Sequence, residues 1–288
     1  MTMKPQDFRC IHRLRVRWAE VDVQKIVFNA HYLAYADCAM TEYWRALALP
    51  YEASMQALGG EVYLKKAGVE YHASARIDDL LDVGIRCARI GQSSLTFAVC
   101  VFAGDRLLAS IELIYVFADP LTQTKRPVPQ PLRAIIEDYE AGGEVVQLRV
   151  GDWATLGREA APLRMAVFVQ EQGIAPELEL DEHDAAALHA VIRNRLGQPI
   201  ATARLLQPAP GEGRIGRMAV DRVVRGQRWG RMLLDALTEA ARARGDTLLT
   251  LHAQRSAEGF YRRAGFETVG EPYEEAGIAH ITMRRNLA

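Results

Sequence analysis

Arg225-Gly226-Gln227-Arg228-Trp229-Gly230-Arg231 lies between an apolar run that ends Met218-Ala219-Val220 and an amphipathic segment that begins near Trp229. A strand that turns through glycines into a helix builds an anion site. The first N–H groups of a helix have no intrahelical acceptor and together carry about half a positive charge. Arg225, Arg228 and Arg231 add side-chain charge there. Trp229, Met232, Leu233, Ala236, Leu237 and Ala240 recur at helical spacing and are expected to face a core, with Arg231, Asp235, Glu239 and Arg242 turned away. Glycine turns ahead of helices also serve as tight connections without a ligand, so this spacing alone leaves both readings open.

Downstream come a second apolar run, Leu248-Leu249-Thr250-Leu251, then Ser256-Ala257-Glu258-Gly259-Phe260-Tyr261-Arg262-Arg263-Ala264-Gly265-Phe266, and a closing Glu275-Ala276-Gly277-Ile278-Ala279-His280-Ile281-Thr282-Met283. In this order the blocks resemble the acyl-CoA site and following core of the GNAT N-acetyltransferases. The resemblance implies an α/β domain with a mixed sheet and acetyl-CoA or another acyl-CoA as substrate. It implies that CoA is held by residues 225–231, namely Arg225, Gly226, Gln227, Arg228, Trp229, Gly230 and Arg231, and by main-chain groups at Met218 and Val220 on a splayed strand. The family's loop pattern falls on Arg225, Arg228 and Gly230, and Arg228 stands where the middle glycine belongs. Arginine tolerates positive φ poorly, so either its backbone keeps negative φ or the turn is remodelled. Tyr261 matches the tyrosine that protonates the departing CoA thiolate, a role open to a phenol that stays protonated at neutral pH.

An amine nucleophile must also lose a proton. Glu171, Asp181, Glu182, His183, Asp184 and His189 all fall in the segment expected to wall the acceptor, and Glu171 and His189 are the first candidates for a general base. Loop acids and histidines near helix starts also serve as caps or solvated surface. Residues 181–184 lack a second histidine at ligand spacing, so no metal is expected.

With 288 residues the chain has room for two domains. Hydrophobic residues make up 49% and charged residues 25%, the balance of a globular protein. A net charge of −1 speaks against nucleic acid as a partner. No apolar run reaches the ~18 residues of a membrane span, and no charged-then-apolar leader follows Met1, so no membrane partner and a cytoplasmic location are expected. Cys10, Cys38, Cys87 and Cys100 lack CxxC spacing and read as buried or free thiols.

Pro127, Pro129 and Pro131 end the last strand-like run of the first half, a short helix at about 132–139 follows, and Ala141-Gly142-Gly143 breaks the pattern. The expected domains are therefore 1–141 and 142–288. In the first, residues 11–18 alternate Ile11, Leu14, Val16 and Trp18 with basic side chains, as in a half-exposed strand. A broadly apolar helix is expected over about 30–49, and four strands near 61–74, 81–91, 94–102 and 106–117. One buried helix and five strands point to an α+β architecture with the sheet wrapped round the helix.

Trp18-Ala19-Glu20-Val21-Asp22-Val23-Gln24-Lys25-Ile26-Val27-Phe28-Asn29-Ala30-His31-Tyr32-Leu33 at the helix entrance resembles the signature of hotdog-fold acyl-CoA thioesterases of the 4-hydroxybenzoyl-CoA thioesterase type. The resemblance implies that Asp22 attacks the thioester or activates water, and that the helix start around Asn29, Ala30 and His31 polarises the carbonyl. A carboxylate can do the first and helix-start N–H groups the second. Lys25 departs from the family's usual glycine, and Asn29 from its His or Tyr. Hotdog active sites lie between subunits, which implies a homodimer or homotetramer through the first half.

Two readings of function stay open. One is a bifunctional enzyme that hydrolyses acyl-CoA thioesters in its first half and transfers an acetyl or other acyl group from CoA to an amine in its second. The other is an N-acetyltransferase whose hotdog half only oligomerises or binds acyl-CoA.

Overall fold

The segment entered at Asn29 becomes helix α1 (His31–Ala46), in which Tyr32, Tyr35, Ala36, Ala39, Met40, Tyr43 and Trp44 are buried. This computed structural model describes residues 3–287; residues 1, 2 and 288, at the outer ends of the two expected domains, lie outside the described residues. The chain divides between Val145 and Val146 into two compact units.

The first unit is a five-stranded antiparallel sheet, made of β1 (Cys10–Arg15), β2 (Glu61–Tyr71), β3 (Leu80–Ile90), β4 (Ser94–Ala103) and β5 (Arg106–Ala118) in the order β1-β3-β4-β5-β2. Helix α1 packs on β1, β3 and β5. Tyr43 shows why it stays there. Its fully buried ring meets Phe97 of β4 edge-on at 5.3 Å, and its hydroxyl donates to Glu140 Oε1 at 2.6 Å. Glu140 ends α3 (Gln130–Glu140) and also accepts the Cys87 N–H of β3 at 2.7 Å, so one carboxylate ties three elements together. Removing such an aromatic from a core costs about 3–5 kcal/mol.

Three details differ from the sequence pattern. Strand β1 stops at Arg15 and turns Cys10, His12 and Leu14 inward, which leaves Ile11 43% exposed, and Trp18 is 82% exposed because the backbone has left the sheet for a 3-10 turn at Trp18–Glu20. Helix α1 ends at Ala46 rather than Leu49, and after Pro50 a second helix, α2 (Tyr51–Leu58), begins. The proline cannot donate into a continuing helix but is accommodated at the start of a new one.

The second unit holds a seven-stranded mixed sheet ordered β11-β12-β10-β9-β8-β7-β6. Its strands are β6 (Val146–Gly151), β7 (Leu188–Asn194), β8 (Pro199–Ala209), β9 (Glu212–Val220), β10 (Leu248–Gln254), β11 (Glu267–Glu275) and β12 (Ile278–Asn286). Only β9 and β10 run parallel, joined through α6 (Trp229–Arg244). Helix α4 (Trp153–Arg164) is capped by Asp152, which accepts the Thr155 N–H at 2.9 Å, and continues as a π-helical stretch, Met165–Glu171. Short helices α5 (Pro176–Glu179) and α7 (Glu258–Arg263) complete the unit.

The buried stripe of α6 is Leu233, Leu234, Leu237, Thr238 and Ala241, and Met232 is exposed. The helix is thus rotated from the expected stripe. Thr238 is tolerated inside because its hydroxyl donates to the Leu234 carbonyl at 2.7 Å. Gly245, at φ 90°, ends the helix in a left-handed turn that L side chains resist. No described helix is long and apolar enough to cross a membrane.

Candidate functional site

Strands β9 and β10 pair only from Leu248–Glu212 to Leu251–Ile215. Beyond that register they part, while β9 stays paired with β8 through a bulge containing Arg217, at φ 50°. The gap opens on a cavity of about 520 Å³. Met218 and Tyr261 line it together, and the Tyr261 hydroxyl lies 3.5 Å from the Met218 sulfur. Phe260 and Phe266 meet the Tyr261 ring edge-on at 4.9 and 6.1 Å and fix its direction. Burial pushes the phenol up to about 12, which keeps it protonated at neutral pH.

The 225–231 loop follows β9. Gly226 has φ 89°, and Arg228 adopts φ 68° and ψ 11° at the N-cap of α6. Arg228 therefore takes a left-handed conformation that glycine adopts freely and arginine adopts at a cost. The helical ladder begins with Met232 N–H donating to the Arg228 carbonyl at 3.1 Å, so the N–H groups of Trp229, Gly230 and Arg231 precede it. Side-chain charge is distributed unequally. Arg225 donates to both oxygens of Glu171 at 2.6 and 2.7 Å and to the Val220 carbonyl at 3.0 Å, and Arg231 pairs with Asp235. Arg228 has no ion-pair partner among the described residues. Gln227 is half-buried beside it.

Neither base candidate reaches the cavity lining. The Arg225 guanidinium holds the Glu171 carboxyl below its ordinary value. His189 is fully buried on β7, with Nε2 at 3.0 Å from the Asp184 carbonyl and its ring 4.8 Å from that of Trp153, and burial lowers its pKa. What the sequence pattern missed is the face formed by β10, β12 and β11. Gln254 pairs with His280, which pairs with Tyr273, so the three share a face, and Gln254 and His280 line the cavity. His280 Nδ1 lies 2.7 Å from the Ile278 carbonyl. A carbonyl only accepts, so Nδ1 carries a proton, and in the neutral imidazole the lone pair is therefore on Nε2. The signal was present as His280 in an alternating strand, but its strand partners are far apart in sequence.

A buried ion network reaches the cavity wall through Glu179, Arg204 and Arg217. Arg164, 1% exposed, pairs with Glu179 at 2.6 Å and Asp184 at 2.7 Å. Arg204 pairs with Asp184 and Asp181, and Arg217 with Asp181 and Glu179. Three guanidinium groups thus face three carboxyl groups. The acids at 181 and 184 serve this network, and among the described residues no group of three or more His, Cys, Asp or Glu is arranged to hold a metal ion.

A second cavity, of about 510 Å³, lies in the first unit. Asp22 and Asn29 both line it, with Tyr71 at the end of β2 and His72 just after it. A tight turn presents Asp22: its N–H donates to the Ile26 carbonyl and its carbonyl accepts from Lys25 N–H, both at 2.9 Å, while its Oδ1 accepts the Gln24 N–H at 2.8 Å. Lys25 makes that turn at φ 61° and stays exposed, outside the lining. Ala30 caps α1 and His31 begins it, but neither lines the cavity; the His31 N–H donates to the Phe28 carbonyl at 2.9 Å. Buried Glu20 braces the loop by accepting the Phe28 N–H at its carbonyl and the Tyr35 hydroxyl at its carboxylate, both at 2.9 Å. Hydrogen bonds from Arg17 and Tyr35 outweigh burial and hold the Glu20 carboxyl below its ordinary value. Tyr71 donates to the Asn29 carbonyl at 2.9 Å.

The Acetyltransferase (GNAT) domain model matches residues 161–287, and the Thioesterase superfamily model matches residues 24–110. A UPF0039 protein of Schizosaccharomyces pombe is 37% identical over 127 residues, which span 43% of this chain and 84% of that protein. The acyl-CoA thioester hydrolase YbgC of Escherichia coli is 33% identical over 125 residues, 42% of this chain and 90% of the hydrolase. Among solved structures, an acyl-CoA N-acyltransferase from Pseudomonas aeruginosa is 36% identical and covers 49% of this chain and 99% of its own, with a TM-score of 0.45.

Proposed function

Because the chain belongs to the thioesterase superfamily through its first half and to the GNAT acetyltransferases through its second, we propose that it is a bifunctional enzyme of CoA thioesters. The observation that carries this is the placement of Tyr261 and Met218 on one cavity where β9 and β10 part. An acyl-CoA whose diphosphate sits on the 225–231 loop can run its pantetheine arm past the main chain of Val220 and Met218 into that gap. There the amine nitrogen attacks the acyl carbon, the C–S bond breaks, and Tyr261 gives its proton to the CoA sulfur. His280 Nε2 takes the proton that the amine loses, a role that Glu171 and His189 do not have the position to fill.

In the first unit, Asp22 draws a proton from water as it attacks the thioester carbon, and the thiol leaves as free CoA. The donors for the oxyanion are the N–H groups at the entrance to α1 near Asn29, since the His31 N–H is already engaged. That engaged donor favours the second reading, in which the hotdog half only binds acyl-CoA or oligomerises. Dimers or tetramers through this half are supported by β2, a long edge strand with Leu64 51% exposed.

Hydrolysis and transfer are separated by counting free thiol and acylated amine independently. Asp22→Ala should abolish amine-independent thiol release and leave acylated amine unchanged. Wild-type protein no faster than Asp22→Ala with every acyl-CoA tried removes the hydrolase and leaves the binding reading.

A further inference from the structure

Among the described residues, three arginines line the cavity beside β9, Arg204, Arg214 and Arg217, and Arg214 is the one that no carboxylate pairs. Arg214 lies on β9 opposite Leu206 of β8 and Thr250 of β10, and it lines the cavity. Its Nε is buried without a hydrogen-bond partner, and no ion pair or further hydrogen bond reaches its guanidinium among the described residues. The other two arginines of the lining are ion-paired: Arg204 and Arg217 belong to the buried network, although the Arg204 Nε, like that of Arg214, is buried without a hydrogen-bond partner. A buried guanidinium nitrogen left without an acceptor is costly, and an incoming anion with two oxygens in one plane is the partner whose geometry fits the arginine fork.

Arg214 is at the wrong end of β9 to serve the CoA diphosphate. It precedes Val220 by six residues, roughly 20 Å of strand, on the side away from the 225–231 loop. It lies instead four residues before Met218, on the side of the Met218–Tyr261 contact away from that loop, and still lines the cavity, so an acceptor that enters opposite the CoA arm can meet it. Space is available there: a Cβ built on Gly216, its neighbour on the same sheet face, meets nothing within 4 Å.

We infer that the acceptor is a small primary amine that also carries an anionic group, carboxylate or phosphate, and that Arg214 binds that group. The inference rests on the transferase reading of this cavity. Arg214 is a specificity residue and takes no part in proton transfer.

The test uses the full chain with acetyl-CoA and matched pairs of acceptors: L-amino acids against their carboxamides, and phosphoethanolamine against ethanolamine. Acetylated product is counted by mass, and binding of the same amines is measured by calorimetry with and without CoA. Wild type should favour the anionic member of at least one pair more than tenfold in kcat/KM, and the favoured pair identifies the group as carboxylate or phosphate. Arg214→Gln should erase the preference by raising KM with kcat kept and the neutral amine unaffected, while Arg214→Lys should keep part of it. Equal turnover of both members by wild type, or an equal loss for both in Arg214→Gln, overturns the assignment. If no amine is acetylated yet the anionic amines bind at least tenfold more weakly to Arg214→Gln, the transferase reading fails and the Arg214 site stands. Anionic amines that bind wild type and Arg214→Gln alike overturn the site, whatever the turnover.

Discussion

Arg225 grips both carboxylate oxygens of Glu171, at 2.6 and 2.7 Å, and with its Nε holds the Val220 carbonyl at 3.0 Å. The pair joins the end of the π-helical stretch to the loop after β9, so each residue restricts the other. Glu171→Gln should weaken CoA binding about fivefold, near 1 kcal/mol for a partly exposed pair, with kcat little changed. Steady-state acyl transfer measures both quantities. A large fall in kcat with unchanged KM for CoA would return Glu171 to the role of base.

Tyr261→Phe should lower the acyl-transfer rate by about 100-fold or more while CoA affinity stays close to wild type. The phenol titrates near 12, so its loss of a proton should not limit the rate below pH 10. An unchanged rate in the phenylalanine variant removes Tyr261 as the acid.

Arg228 and Lys25 both adopt positive φ where the families they resemble carry glycine, at 68° and 61°. A non-glycine residue there costs about 1–2 kcal/mol, partly offset by the greater freedom of glycine in the unfolded chain. Arg228→Gly and Lys25→Gly should each raise stability to urea by about 1 kcal/mol. Arg228→Gly should also weaken CoA binding, because it deletes the loop's unpaired guanidinium. A stability loss in both variants would show that the side chains contribute more than the backbone strain they impose.

Arg164 bridges Glu179 and Asp184 in the buried network, so Arg164→Ala leaves two carboxyl groups buried without it. Removing one partner of such a network costs about 3–5 kcal/mol. Denaturant titration should show a loss of that order, and a change under 1 kcal/mol would mean that water replaces the arginine.

Burial pushes the thiols of Cys10 and Cys87 up to about 12, from an unfolded value of roughly 8.5. Their folded-state pKa is raised, so their contribution is complete below about pH 8.5 and is lost as pH climbs toward 12. Within that window each thiol should cost about 1.4 kcal/mol per pH unit. Denaturant midpoints between pH 8 and 11 check the slope, and flat stability across that range contradicts it. In the native protein a thiol reagent should modify exposed Cys38 first and reach Cys10, Cys87 and Cys100 only on unfolding.

The sequence by itself determined both folds and the strand-turn-helix around 225–231, and it singled out Asp22 and Tyr261, each of which lines a cavity, because these are local patterns: alternation, helical spacing, and short runs that repeat a family's order. It left the backbone of Arg228 open, since only the surrounding structure can hold an arginine at positive φ. It could not choose a base, because Glu171 and His189 are near the right segment in sequence, while the Arg225 ion pair and the burial of His189 on β7 turn them to other tasks. His280, Gln254 and Tyr273 come together only through strand pairings across β10, β12 and β11. Which charges are spent and which remain is likewise a tertiary fact: Arg204 and Arg217 look no different from Arg214 in the sequence, and only the fold supplies carboxylates to two of the three.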